Sequence, residues 1–169
     1  WRGDVLYTDN TAVRRGKGED AYEVPAAGRP NTWVPVTVQA RDEAGNPTGE
    51  TLHRDEVHAR GLWHGSVHAW VMNSQGQLLL QQRAHTKRTM PGLWDVTVCG
   101  HISAGHDPIT TAIREFQEEL GFTGAPEQLE PFYVLTHAHD ASNAQGPYVE
   151  RLITPNYLVR LDVDETTLR

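Results

Sequence analysis

The sequence predicts an α+β domain built on a mixed sheet, and three observations carry that prediction. The stretch from Asp107 to Leu120 has the start signal and periodicity of one amphipathic helix. Several short runs read as strands, and they lie on both sides of that helix in the chain. A length of 169 residues fits one domain.

Residues 1–30 read as a lead-in and residues 31–169 as the domain. RRGKGED and PAAGRP have loop composition, with a short strand expected at Val5 to Tyr7 between the terminus and the first of them. Thr32 to Ala40 alternates apolar and polar residues, and Pro35 suggests an edge strand. RDEAGNPTGE is a turn cluster, from which Glu50 to Arg54 returns as the second arm of a hairpin. Leu62 to Met72 is long enough for a buried strand with Val67, Trp70 and Val71 in the core. After a turn at Asn73 to Gly76, Gln77 to Arg83 pairs back. A loop carrying Lys87 and Arg88 follows, and those two cations are candidates for gripping a diphosphate. Trp94 to His101 is a further strand that delivers the chain to the helix. Beyond the helix, Glu130 to Ala138 and Tyr148 to Leu161 read as strands, with DASNAQGP between them as a surface loop over a substrate.

The helix itself opens on Asp107 as N-cap, with Pro108 at its first position, and Gly121 closes it. Ile109, Ile113, Phe116 and Leu120 recur at helical spacing and form one apolar stripe. Glu115, Glu118 and Glu119 project within roughly 100° of arc from another side. Like charges so close repel one another, and a cation lying over them reverses the penalty. Hard divalent ions such as Mg²⁺ or Mn²⁺ favour such oxygen ligands and bridge to substrate phosphates. Arg114, one turn before Glu118, is placed to hold that carboxylate.

Net charge is −7 and no lysine-arginine run stands out, which argues against duplex nucleic acid or an anionic membrane as partner. No apolar run approaches the roughly 18 residues that span a bilayer. The single cysteine, Cys99, cannot form an internal disulfide and fits a reducing cytoplasm, the expected location.

From Gly100 to Phe122 the chain resembles the Nudix box, G-x5-E-x7-R-E-U-x-E-E-x-G-U with U apolar. Gly100, Arg114, Glu115, Phe116, Glu118, Glu119, Gly121 and Phe122 fall at the motif's positions, while His106 stands where it has its first glutamate. An imidazole suits Mg²⁺ poorly. The resemblance implies the Nudix fold, an α/β/α sandwich whose usual final helix has only DETTLR to begin it here. It also implies hydrolysis of a small-molecule pyrophosphate, such as a nucleoside diphosphate derivative, with Mg²⁺ or Mn²⁺ held by Glu115, Glu118 and Glu119. The base is not resolved among the three, with Glu119 and Glu115 the first candidates; Glu150 is a candidate extra ligand or base, and a homodimer is left open.

The segment from His64 to Gly121 also looks like type 1 isopentenyl diphosphate isomerase, which shares that fold. Cys99 and His101 match its VCGH stretch, His64 and Glu150 match metal ligands, and His58 lies one residue out of register with another. Leu152 stands where the catalytic glutamate belongs, and a leucine carries no proton. The hydrolase is therefore the preferred reading, with the isomerase and a non-catalytic Nudix scaffold as alternatives. His64 and His68 share a strand face, with His101 across the sheet; taken singly, each reads as a hydrogen-bonded or surface histidine.

Overall fold

The computed structural model describes residues 5–9, 21–23, 33–85, 90–121, 126–143 and 146–163. Its strands are β1 (Val5–Asp9), β2 (Ala21–Glu23), β3 (Trp33–Pro35), β4 (Thr37–Arg41), β5 (Pro47–His53), β6 (His64–Met72), β7 (Leu78–Gln82), β8 (Trp94–Asp95), β9 (Val98–His101), β10 (Glu130–Asn143) and β11 (Gly146–Arg160). Two α-helices accompany them, α1 (Arg54–Arg60) and α2 (Pro108–Glu119). The main sheet runs β1-β7-β6-β11-β10, with β8 paired to β7 and β9 to β6. β1 lies parallel to β7 and β11 parallel to β6, the other pairs being antiparallel, so the sheet is mixed. β2 with β3, and β4 with β5, form separate hairpin-like pairs.

Two strand expectations are corrected. Trp94 to His101 is not one strand, because β6 and β7 pair only at Val71–Leu79 and Met72–Leu78 before they part. The incoming chain fills that fork, first pairing with β7 and then with β6. Thr97, fully buried at the crossing, replaces the missing ladder bonds with its hydroxyl. That hydroxyl accepts from Val71 N at 2.9 Å and donates to the Leu79 carbonyl. The Thr32 to Ala40 run likewise breaks at Val36, between β3 and β4.

DASNAQGP is not a loop along its length: β10 continues to Asn143 and β11 begins at Gly146, with Asn143 paired to Gly146. Pairing with a partner strand outweighs the weak strand preference of Asp, Ser and Asn there. This hairpin sets His139 opposite Glu150 and His137 opposite Leu152.

α1 was not expected. At seven residues it is too short to show a stripe, and Val57 is its buried residue. Its ends are nevertheless well specified: the His53 side chain accepts from Asp55 N, and Gly61 takes the left-handed conformation (φ 60°). That turn also needs a glycine sterically, since a Cβ would press on Val149 at 3.3 Å. α1 lies against β11 and β4.

α2 follows its expected bounds, with Asp107 accepting from Thr110 N. Its apolar stripe is shifted from the expected one. Ala112, Phe116 and Leu120 are buried against Val67, Ala69, Val71 and Val98, while Ile109 at the helix start is exposed. Trp70 alternates with Val71 and so leaves this core; its indole N–H donates to Asn156 Oδ1 at 3.0 Å on the opposite sheet face.

Phe116→Ala is expected to destabilise by about 3–5 kcal/mol in urea unfolding, and Ile109→Ala by no more than about 0.5 kcal/mol. Thr97→Val, which strands a buried N–H and a buried carbonyl, is expected to cost about 1–3 kcal/mol in the same assay despite its conserved volume.

Candidate functional site

The glutamates of α2 do not form a solvated face. Glu115, Glu118 and Glu119 are at most 9% exposed. Buried carboxylates need charged or hydrogen-bonding partners, and the chain supplies them. Arg114 Nη2 donates to Glu115 Oε1 at 2.7 Å, and Nη1 donates to both oxygens of Glu118 at 3.0 and 3.2 Å. One guanidinium thus fixes two carboxylates. Glu119 Oε2 accepts from Gln81 Nε2 at 3.1 Å and from the Cys99 backbone N–H at 3.3 Å.

Gly100 explains how α2 comes so close to β9. A Cβ at residue 100 would collide with the carboxylate and Cγ of Glu115, so only glycine admits that side chain. Cys99 and His101 alternate with Gly100 and face the other side of the strand. The Cys99 thiol lies 3.7 Å from Asp95 Oδ2, and Asp95 is itself bonded to Arg83 at 2.9 Å. Burial, reinforced by the negative charges of Asp95 and Glu119, pushes the thiol well above its ordinary pKa and keeps it protonated.

On that second face stand most of the histidines. His64 and His101 stack with ring centroids 5.1 Å apart and planes 5° from parallel. His58, carried on α1, brings Nε2 to 3.2 Å from His64 Nε2. The one-residue offset of His58 is absorbed by the helix, so it joins His64 and His101 after all. Their donor atoms lie within 4.8 Å of one another. His64 Nδ1 sits 3.0 Å from the Leu62 carbonyl, which assigns the proton to Nδ1 and the lone pair to Nε2. Burial lowers the His64 pKa to about 4, and burial followed by the neighbouring His64 and Arg54 drives His101 well below its ordinary value. Neutral imidazoles are the ligating form. His101 Nε2 is buried without a hydrogen-bond partner.

His68 shares this face but stands outside the group. Ser66 and Thr154, hydroxyl to hydroxyl at 2.5 Å, and Asn156 continue its polar lining. Glu150, matched by resemblance to a metal ligand of the histidine group, sits instead with His137 and His139. Leu152, in register with His64 on one side and His137 on the other, is buried between the two groups. His106 is exposed ahead of α2, its N–H bonded to the Ser103 carbonyl at 3.0 Å. Lys87, Arg88 and Phe122 lie outside the described residues.

Among the described residues, two groups bring three donor atoms within 4.8 Å of one another, His58–His64–His101 and His137–His139–Glu150. The carboxylates of Glu115, Glu118 and Glu119 are not drawn together to that degree, and they offer hard oxygens of the kind Mg²⁺ or Mn²⁺ prefers. The three imidazoles suit a more nitrogen-loving ion. Sequence reasoning missed Gln81, for which a strand glutamine gives no signal. It also missed the pairing of His137 and His139 with Glu150, which the H-x-H spacing in a hairpin would have revealed had the strands been extended. Among the described residues, no helix is long and apolar enough to cross a membrane.

Comparison with known proteins gives this geometry its context. Nudix hydrolase 3 of Arabidopsis thaliana is 35% identical over 120 residues, covering 70% of this chain and 15% of that protein. An isopentenyl-diphosphate Delta-isomerase of Pectobacterium atrosepticum is 37% identical over 111 residues, covering 65% of this chain and 60% of the enzyme. The chain thus spans less than two-thirds of the length of either relative. The crystal structure of DR0079 from Deinococcus radiodurans superposes with a TM-score of 0.54 at 22% identity, covering 76% of this chain and 74% of that one, a likeness of fold. The family model for the NUDIX domain matches residues 62–168. With its mixed sheet and its glutamate-bearing helix seated on Gly100, the chain belongs to the Nudix family.

Proposed function

We propose that the chain is a metal-dependent hydrolase that cleaves a pyrophosphate bond in a nucleoside diphosphate derivative or a similar organic pyrophosphate. The observation that carries this reading is the buried carboxylate set on α2, held in place by Arg114, Gln81 and the Cys99 backbone. Glu115, Glu118 and Glu119 would hold Mg²⁺ or Mn²⁺, which when bound neutralises pyrophosphate oxygens and favours attack of water on phosphorus.

The residues divide the remaining work. Arg114 keeps Glu115 and Glu118 from turning away, and its charge offsets part of their mutual repulsion. Glu119 Oε2 accepts from Gln81 Nε2 and the Cys99 backbone N–H, both neutral donors, and Glu119 is the first choice to take the proton from water. Glu115, bonded to Arg114 at 2.7 Å, is the second choice for that role. Lys87 and Arg88 complete the proposal as cations for the diphosphate.

The histidine group supports a second reading, an isomerase of isopentenyl diphosphate type. It supplies His58, His64 and His101 on the same face as Cys99. That reading lacks a proton carrier at Leu152, and it leaves Cys99 as a neutral thiol.

Product release is measured with Mg²⁺ or Mn²⁺ over a panel of nucleoside diphosphate derivatives, free nucleoside diphosphates and isopentenyl diphosphate. Glu119→Gln is expected to lower kcat by about 100-fold or more against the substrate that is cleaved. An allylic isomer formed without phosphate-linked product would overturn the hydrolase in favour of the isomerase. Alkylation of Cys99 by iodoacetamide at pH 8 is expected to run far slower in the folded chain than in urea. Equal rates would show that burial does not hold the thiol neutral.

A further inference from the structure

β10 and β11 carry a group of side chains that the proposed hydrolysis does not use. His137 and His139 are two apart on β10 and so share a face, and Glu150 is directly opposite His139 on β11. Their donor atoms lie within 4.8 Å of one another. The two imidazoles stack with centroids 5.8 Å apart and planes 17° from parallel. His139 Nε2 stands 3.6 Å from Glu150 Oε2, beyond hydrogen-bond reach. His137 Nδ1 and His139 Nε2 are both shut off from water without a hydrogen-bond partner. A buried ring nitrogen left unpaired is costly, and here two of them stand in one cluster beside a carboxylate.

From this arrangement we infer that His137, His139 and Glu150 form a second metal site, one that takes a divalent transition ion of the Zn²⁺ or Co²⁺ class. Two ligand atoms at about 2.1 Å from a tetrahedral ion stand roughly 3.4 Å apart, close to the His139–Glu150 separation and longer than a hydrogen bond. Two imidazoles and one carboxylate select such an ion over Mg²⁺. Three protein ligands leave a coordination position open to an exchangeable ligand. The site is separate from the His58–His64–His101 group, because Leu152 lies in register between His137 and His64.

Co²⁺ titration of the whole chain in saturating Mg²⁺, followed by visible absorption and checked by Zn²⁺ equilibrium dialysis, reads the site directly and does not depend on hydrolysis. His139→Ala and Glu150→Gln are each expected to lose one equivalent, or to weaken it beyond the roughly 100-fold that loss of an outer-shell partner costs. His101→Ala is expected to leave that equivalent in place. Matching thermal melts of the metal-free variants and the parent exclude unfolding as the cause. The inference is overturned by unchanged binding in both variants, by the absence of any Co²⁺ or Zn²⁺ binding, or by loss of the same equivalent in His101→Ala.

Discussion

Among the described glycines, Gly100 is the one whose missing Cβ leaves the tightest space, and the Glu115 carboxylate fills it. Much else depends on it. With α2 drawn so near β9, the carboxylates of Glu115, Glu118 and Glu119 lose contact with water and must find protein partners. Arg114 answers two of them from the same helix, and Gln81 and the Cys99 backbone answer the third from the sheet. The helix is therefore held by polar bonds as well as by the packing of Phe116 and Ala112.

β9 separates two chemistries. Toward α2 it offers glycine and valine, and toward the other face it offers Cys99 and His101. Carboxylate oxygens stand on one side and neutral imidazoles on the other, donor types that favour different kinds of ion. The neutrality of His64 and His101 has a single main cause, their burial, and it leaves nitrogen lone pairs available near neutral pH.

Much of this was legible in the residues. Asp107, Pro108 and Gly121 marked α2, and the glycine–arginine–glutamate spacing marked its family, because local backbone chemistry and a fixed motif both act over short distances. What escaped notice depended on pairing. The split at Thr97 follows from how β6 and β7 diverge, which no property of Thr97 itself announces. The long β10–β11 hairpin overrides the polar composition of its tip, and Glu150 met His139 only through that register. α1 bore readable caps but was too short for periodicity, so His58 seemed out of register when a helical turn was what delivered it. Ile109 fitted the stripe by spacing and failed it by position, standing at the helix start beyond the reach of the sheet.

Leu152 has a consequence for proton traffic. Imidazoles that touch one another relay protons along a chain, and the sheet aligns His64, residue 152 and His137 in one row across three strands. A hydrocarbon side chain in the middle position neither donates nor accepts, so the wire is cut there. The two histidine groups therefore stand apart as separate donor sets.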